Sequence, residues 1–563
     1  MPTADLKSKI SDQTRAAFQP VLAAVGRVRS ALASNNAVVS VRAGYHYPPA
    51  GDPVPAVVVG VYPGTPAGAV NAQELAARFG APVSVVDASI EEQLAAVQRP
   101  EGAISFGLAP EAPGSRLESL LSDAPLPLEF APPKTGTYEP LDPPDLPVVD
   151  EEMEATICVS PEAGWSQLKQ FLAGTGQRLT VAMYQFTAPH IFKAVEEAVT
   201  PPGREFELVL HPIPEPPARS GVKAEELDEK SGVLKPLNEE LQNRFQFSWA
   251  TLKSNQHPDG LWASAYHIKV AVRDGNSLWL SSGNWQSSNQ PDADPFADPR
   301  SVPAGFQRKY NRDYHAILRN EQLARIYEKY IKRDHDLTAA GAPVPFAIPE
   351  VFVPVEEEAP EAVAFAAPPQ FFEPLHLNRR IKVQPLLTPD NFAVHILELI
   401  KGAQESVWFQ NQYINFRDDG DDFPEFQALV GALKDKVDAG KDVRIICRDL
   451  MKQSSLDVLI ALGFPREVIR FQPACHNKTI IVDRKAVAFG SHNWSNEGVK
   501  TNRDASLIFF DEEIADFLAG VYEYDWERLA TAKPGPNRTR VARNGEQTPA
   551  GMRRVPVTDV VED

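Results

Sequence analysis

The sequence predicts an α/β protein. Two tandem α/β domains, each a mixed sheet flanked by helices on both faces, stand in a pseudo-two-fold arrangement behind a small N-terminal α/β module. Three observations predict this. The 563 residues exceed what one core sustains, and many of the 51 prolines cluster into stretches that divide the chain. Strand-like and helix-like segments alternate, as in a sheet covered on both faces. The two largest regions repeat one another in element order and in motif.

The module, residues 1–108, opens on the helix-periodic LKSKISDQTRAAFQPVLAAVGRVRSALA. It continues with the strands AVVSVRAGY and PAVVVGVY, the helix AQELAARFG and the strand PVSVVD. Nothing in it carries recognisable chemistry, so an accessory or assembly role is expected. Residues 109–149 and 339–376 are proline-rich, lack strand or helix periodicity, and read as extended linkers. They delimit a first domain at 150–338 and a second at 377–532. The tail from Lys533 is expected to be disordered.

The repeat is explicit. ICVSPEAGWSQLKQFLAGTGQRLTVAMYQF aligns with PLLTPDNFAVHILELIKGAQESVWFQNQYI, each reading strand, helix, strand. A further strand follows in each, ELVLHP and VRIICRD. Later come YHIKVAVRDGNSLWLSSGNW and CHNKTIIVDRKAVAFGSHNW. An Asn-Arg-Asp strand and a terminal helix close each copy. Two such copies in one chain are expected to meet across a shared face, as a homodimer would.

Composition bounds the function. Hydrophobic residues make up 43% and charged residues 23%, as in an ordinary globular protein. The formal charge of −19 weighs against coating a polyanion, while leaving room for a locally basic cleft. Cys158, Cys447 and Cys475 are too scattered for a disulfide framework. The first residues show no signal-peptide pattern, and no window approaches the roughly 18 apolar residues of a membrane span. A reduced, cytoplasmic protein without stable membrane insertion is expected; the oligomeric state is left open.

Strand alternation in YHIKVAV puts His267 and Lys269 on one face, with Ile268, Val270 and Val272 on the other. The same rule pairs His476 with Lys478, and sends Cys475 to the opposite, buried face. Asp274 and Asp483 lie at odd spacing from the lysines. Asp274 precedes Gly275 in a hairpin-turn pair, so both aspartates read as supporting turn-builders. Ser282 with Asn284, and Ser491 with Asn493, return beside each His and Lys. Two imidazoles, two ammoniums and two amides so gathered can hold a phosphoryl group without a metal or cofactor.

His-x-Lys, four residues, Asp, six residues, then Gly-Ser-x-Asn resembles the motif of the phospholipase D superfamily. HNKTIIVDRKAVAFGSHN fits at every position, whereas HIKVAVRDGNSLWLSSGN has Ser281 in place of Gly. The resemblance covers roughly residues 150–532 and implies two phospholipase D-like domains. It implies a phosphodiesterase in which one histidine forms a phosphohistidine and the other serves as acid, then base. By analogy His267 attacks and His476 handles the proton, though the residues alone do not separate the two assignments. Lys269, Lys478, Asn284 and Asn493 would hold the phosphoryl oxygens. Ser282 and Ser491 would support them. Relatives keep an acidic residue near the Asn-Arg-Asp strand to orient the imidazole, which here implies Asp313, following His267, and Asp504, following His476.

The substrate reading favours phospholipid, from FQNQYI (409–414), which resembles a segment of lipid-cleaving relatives, and from the negative charge. The alternative is a metal-independent nuclease acting on DNA or RNA. A membrane-anchored phosphatidyl transferase is disfavoured by the lack of an apolar span. One chain supplies a complete site. The acidic run DDGDD (418–422) lacks EF-hand spacing and reads as a solvated loop. QPDADPFADPRSVPAGF and HPDGLWASAY read as gating segments or plain surface loops.

Overall fold

The structure, a computed structural model, describes residues 6–97, 115–121, 135–212, 226–253, 259–299, 302–303, 305–338, 350–354, 369–417, 422–530, 539–542, 546–549 and 552–557. The module contributes β1 (Val38–His46), β2 (Val54–Val61) and β3 (Val83–Asp87) in the order β1-β2-β3. Helix Asp12–Leu32 starts where Ser11 Oγ accepts from Thr14 N. It buries Phe18, Val21, Val25, Val28 and Leu32, a 3–4 spaced stripe, against this sheet.

The first half supplies β4 (Val149–Ser160), β5 (Arg178–Met183), β6 (Glu205–Leu210), β7 (Phe245–Trp249), β8 (Lys269–Arg273), β9 (Ser277–Ser281) and β10 (Asp313–Arg319). Strand β11 (Glu350–Pro354) follows. The second half supplies β12 (Leu375–Leu387), β13 (Ser406–Gln410), β14 (Asp442–Arg448), β15 (Ile469–Gln472), β16 (Lys478–Val482), β17 (Ala486–Gly490) and β18 (Ala505–Phe509). The two halves form one continuous 14-stranded sheet, β15-β14-β13-β16-β17-β18-β12-β4-β10-β9-β8-β5-β6-β7. The order reads the same outward from its centre. There the long strands β4 and β12 pair antiparallel, Val149 opposite Val383 and Ile157 opposite Leu375.

Helices cover both faces. Helices Glu321–Leu337 and Glu512–Tyr524 share one central core through Tyr327, Ile331, Leu518 and Tyr522. On the other face, helices Gly164–Ala173 and Pro189–Val199 cover the first half. Helices Phe392–Gly402, Pro424–Asp438 and Gln453–Ala461 cover the second, in a core that also takes in the N-terminal module.

Three expectations need correction. Within the first linker, Arg116–Leu121 is a helix whose Leu117, Leu120 and Leu121 join the module's core. That i, i+3, i+4 stripe is too short to stand out among prolines. Within the second linker, β11 pairs with two strands of the tail expected to be disordered, β19 (Arg540–Val541) and β20 (Met552–Pro556). Strands this short have no readable period, and their partners lie far away in sequence. Asp422 of the acidic run is buried, accepting from Arg116 Nε and Asn496 Nδ2, both at 2.7 Å. Residues 418–421 lie outside the described residues.

Candidate active site

Both His-x-Lys motifs sit at the start of an inner strand, β8 or β16, where the halves face one another. Alternation holds: Ile268, Val270 and Val272 enter the central core, while Ala271 faces the opposite one. At the far end of each strand the motif aspartate builds a tight turn. Asp274 and Gly275 have φ of 54° and 65°, and Asp483 and Arg484 both have 53°. Two successive left-handed residues give the twist an antiparallel hairpin needs. Asp274 accepts from the backbone N–H groups of Gly176, Gln177 and Arg178. Asp483 accepts from those of Gln404, Glu405 and Ser406. Both are therefore remote anchors, each tying a motif strand to the loop before its neighbour.

The carboxylates reach the histidines crosswise. His267 Nδ1 donates to Asp504 Oδ1 at 2.7 Å, and His476 Nδ1 donates to Asp313 Oδ1 at 2.6 Å. Each imidazole is thus oriented by the other half's Asn-Arg-Asp segment, not by the one that follows it in sequence. Backbone bonds enforce the crossing: His267 N donates to Arg503 O and Asn477 N to Arg312 O, both at 2.7 Å. Ser282 Oγ donates to Asp313 Oδ1 and Ser491 Oγ to Asp504 Oδ1, each at 2.7 Å. The two hydroxyls are therefore spent on the carboxylates. Burial alone would raise Asp313 and Asp504. The charges of His476 and Lys478, and of His267, His492 and Lys269, outweigh it and hold both below the usual carboxylate range.

The lysines flank the rings. Lys478 Nζ lies 3.5 Å from both nitrogens of His476. Lys269 Nζ donates to His267 O at 2.8 Å and sits 4.9 Å from the Tyr184 ring centre. Asn284 Nδ2 donates to Gln185 Oε1 and Gln286 Oε1, at 3.2 and 3.0 Å. Asn493 is buried at the equivalent position. None of the histidines, lysines or asparagines of the two motifs exposes more than 4% of its surface. In so dry a site, charge and hydrogen bonds act on a phosphoryl group with little screening.

Several residues escaped the sequence. The Asn-Arg-Asp arginines are wholly buried. Arg312 binds Glu162 at 2.6 Å and Asp525 of the second half at 3.0 Å. Arg503 binds Asp390 and, from the first half, Asp334, both at 2.7 Å. Recurrence of the triplet in both halves is the signal the sequence offers for these arginines. Tyr184 packs edge-on against His267, with ring centres 4.9 Å apart. His211 stacks behind Tyr184, and burial beside His267 and Lys269 lowers its pKa to about 3. Cys475 is buried, as alternation requires. In the flanking segments Asp292 accepts from Trp165 Nε1 at 2.9 Å and Trp262 is fully buried, while His257, Pro258, Arg300, Ser301 and Ala304 lie outside the described residues.

Among known proteins, the family description "cardiolipin synthase, PLD-like domain" matches residues 396–526. A cardiolipin synthase A of Pseudomonas aeruginosa is 27% identical over 179 residues, covering 31% of this chain and 35% of that protein. The Pseudomonas entomophila counterpart is 28% identical over 162 residues, covering 27% and 32%. The chain thus spans about a third of the length of the curated relatives it matches. The crystal structure of a phosphatidylserine synthase from Haemophilus influenzae superposes with a TM-score of 0.42 at 13% identity, over 69% of this chain and 89% of that one. The two His-x-Lys motifs, the doubled α/β sheet that brings them together, and the family match converge: the second half carries a phospholipase D-like domain, and the first half repeats its motif and strand order.

Proposed function

We propose that the chain is a phosphodiesterase that takes the phosphatidyl group of a phospholipid onto His267 and delivers it to water or an alcohol. The observation that carries this reading is the crossed pair of His–Asp contacts. Each Nδ1 is held by a buried carboxylate, which fixes the ring and assigns the chemistry to Nε2. His267 Nε2 attacks phosphorus, and the P–N bond forms as the P–O bond to the leaving alcohol breaks. The bonding pair goes to the leaving oxygen, which takes a proton from His476 Nε2. Water or a second alcohol then attacks phosphorus and gives its proton to His476 as the P–N pair returns to His267. Lys269, Lys478, Asn284 and Asn493 hold the non-bridging oxygens throughout.

Phospholipid is supported by the relatives, which bear the name cardiolipin synthase, by the FQNQYI segment and by the net charge of −19. Among the described residues no helix is long and apolar enough to cross a membrane, so lipid would be met at a bilayer or micelle surface. The test incubates the protein with phosphatidylethanolamine micelles, ethanol and EDTA. Partition of one intermediate between water and ethanol gives phosphatidic acid and phosphatidylethanol. Parallel reactions carry single-stranded DNA, duplex DNA and RNA at low salt, where phosphate-driven binding is strongest. Cutting of nucleic acid with no lipid product would replace the lipid reading by the nuclease one.

A further inference from the structure

The two dyads are not equivalent. Asp313 Oδ1 accepts from His476 and Ser282, and its Oδ2 accepts from Asn289 Nδ2 at 2.9 Å. Asn289 is fully buried, and its Nδ2 lies 3.2 Å from His476 Nδ1, so the amide borders both members of the dyad. Its own backbone is fixed by a bond from Asn289 N to Gln286 O at 3.1 Å. In the other dyad Asp504 Oδ1 accepts from His267 and Ser491 in the same way. Its buried Oδ2, however, has no hydrogen-bond partner among the described residues.

The position equivalent to Asn289, five residues past the motif asparagine, is Gly498. A Cβ there would meet Asn493 O at 2.4 Å, so the second half has no room for a side chain at this point. The third hydrogen-bonding position of the carboxylate is therefore filled in one dyad and, among the described residues, left empty in the other. A carboxylate with one more donor spreads its charge further and stabilises an adjacent imidazolium less.

We propose that Asn289 is a positioning residue that separates the roles of the two histidines: by donating to Asp313 it makes His476 the readier proton donor to the leaving alkoxide, while Asp504, without such a donor, supports His267 as the nucleophile. This rests on the two-histidine reaction above and adds to it the residue that makes the halves unequal. The reaction itself is unchanged: the proton that leaves His476 Nε2 ends on the leaving oxygen, and Asn289 exchanges none.

The distinguishing measurement is leaving-group dependence. A p-nitrophenyl phosphodiester expels a stable phenolate and needs little proton donation, whereas an alkyl phosphodiester expels an alkoxide and needs it fully. Asn289→Ala and the similarly sized Asn289→Leu are compared with wild type on both substrates, with folding checked by thermal melting. The ratio of alkyl to p-nitrophenyl turnover is expected to fall about tenfold in both variants, a fraction of the ~10²–10⁴ that a general acid supplies. Equal loss on the two substrates would mean that Asn289 only maintains the fold, and no loss on either would mean it does nothing for His476; each result overturns the proposal. A wild-type protein inert on every phosphodiester would instead remove the two-histidine reaction, and this inference with it.

Discussion

The two halves solve one packing problem with different residues. In the second half the residue after the motif serine is His492, whose Nδ1 is 2.6 Å from Ser506 Oγ and whose ring stacks on Phe392 at 3.6 Å. In the first half that position is Gly283, and the imidazole comes instead from β10. His315 Nδ1 lies 2.8 Å from Ser281 Oγ, and its Nε2 lies 2.8 Å from Ser160 Oγ. The strand registers match, His315 opposite Ser281 and Ser506 opposite Gly490. Gly164 stands in place of Phe392, because a Cβ there would come within 2.7 Å of His315. Ser281, the one departure from the motif, is thus half of a compensated exchange. Pseudo-symmetry preserves the volume and the polar contact at this site while the side chain that fills it changes strand.

The chemical roles should be the least symmetric property of all. His267→Ala and His476→Ala are each expected to abolish steady-state turnover, by different routes. With a p-nitrophenyl phosphodiester, His476→Ala should release about one equivalent of nitrophenol and stall as a phosphorylated protein, because the first leaving group needs no proton. His267→Ala should give no burst. Mass spectrometry of the intact variants reads the trapped group, and a burst in His267→Ala would reverse the assignment.

The buried arginines should be the most symmetric. Arg312 and Arg503 each join a carboxylate of their own half to one from the opposite half. Arg312→Met strands Glu162 and Asp525, and Arg503→Met strands Asp390 and Asp334. Each should cost about 3–5 kcal/mol, the usual loss when one partner of a buried ion pair is removed. Urea denaturation measures both. Values differing by more than about 2 kcal/mol would show that the pseudo-two-fold does not extend to energetics.

How much of this was legible in the sequence follows from the range of each interaction. The histidines, lysines and asparagines, and the turn-building Asp274 and Asp483, are local in the chain, and spacing with strand alternation places them. The crossing that hands Asp504 to His267 and Asp313 to His476 depends on how two sheets join at β4 and β12, which no local spacing encodes. Asn289 was invisible for a related reason: its partner is a carboxylate that belongs, functionally, to a histidine of the other half. Strands β11, β19 and β20 were missed because they are held by long-range pairing with no period of their own.

The carboxylates themselves give an intermediate effect. Asp313→Asn and Asp504→Asn should each lower turnover about a hundredfold, through a misoriented and less supported imidazole. Both groups are held below their ordinary range in the fold. Their contribution to stability is therefore full above the unfolded value of about 3.9, and is lost as pH falls through the lower folded values. Melting temperatures between pH 7 and pH 3 should drop less steeply at the acid end in either variant than in wild type. A slope unchanged by both substitutions would show that the dyads do not carry the acid sensitivity.

The smallest effect is expected where the symmetry is broken outright, because the N-terminal module docks on the second half. Arg42 is paired with the buried Asp457 of helix Gln453–Ala461, and Tyr47 Oη donates to the same carboxylate at 2.7 Å. Gln453 Nε2 donates to Tyr45 O at 3.3 Å and Arg466 Nη1 to Pro48 O at 3.2 Å, extending the contact along one face. The tail joins as well, since Gln93 of the module donates to Thr539 O and accepts from Val541 N. Arg42→Met should leave the Asp457 carboxylate without its cation and loosen the module, at a cost of about 3 kcal/mol. The double variant Arg42→Met/Asp457→Leu should recover most of that loss, because it removes the stranded charge along with the pair. Burial already pushes Asp457 up to about 6 against the pull of Arg42, so the folded form holds this proton more tightly than the unfolded one. Wild-type stability should therefore decline as pH rises from about 4 to 6, and the double variant should lack that decline. Turnover in both variants should stay within about threefold of wild type if the module acts as a clamp on the second half; a collapse of turnover in the stable double variant would mean that the module is coupled to the site.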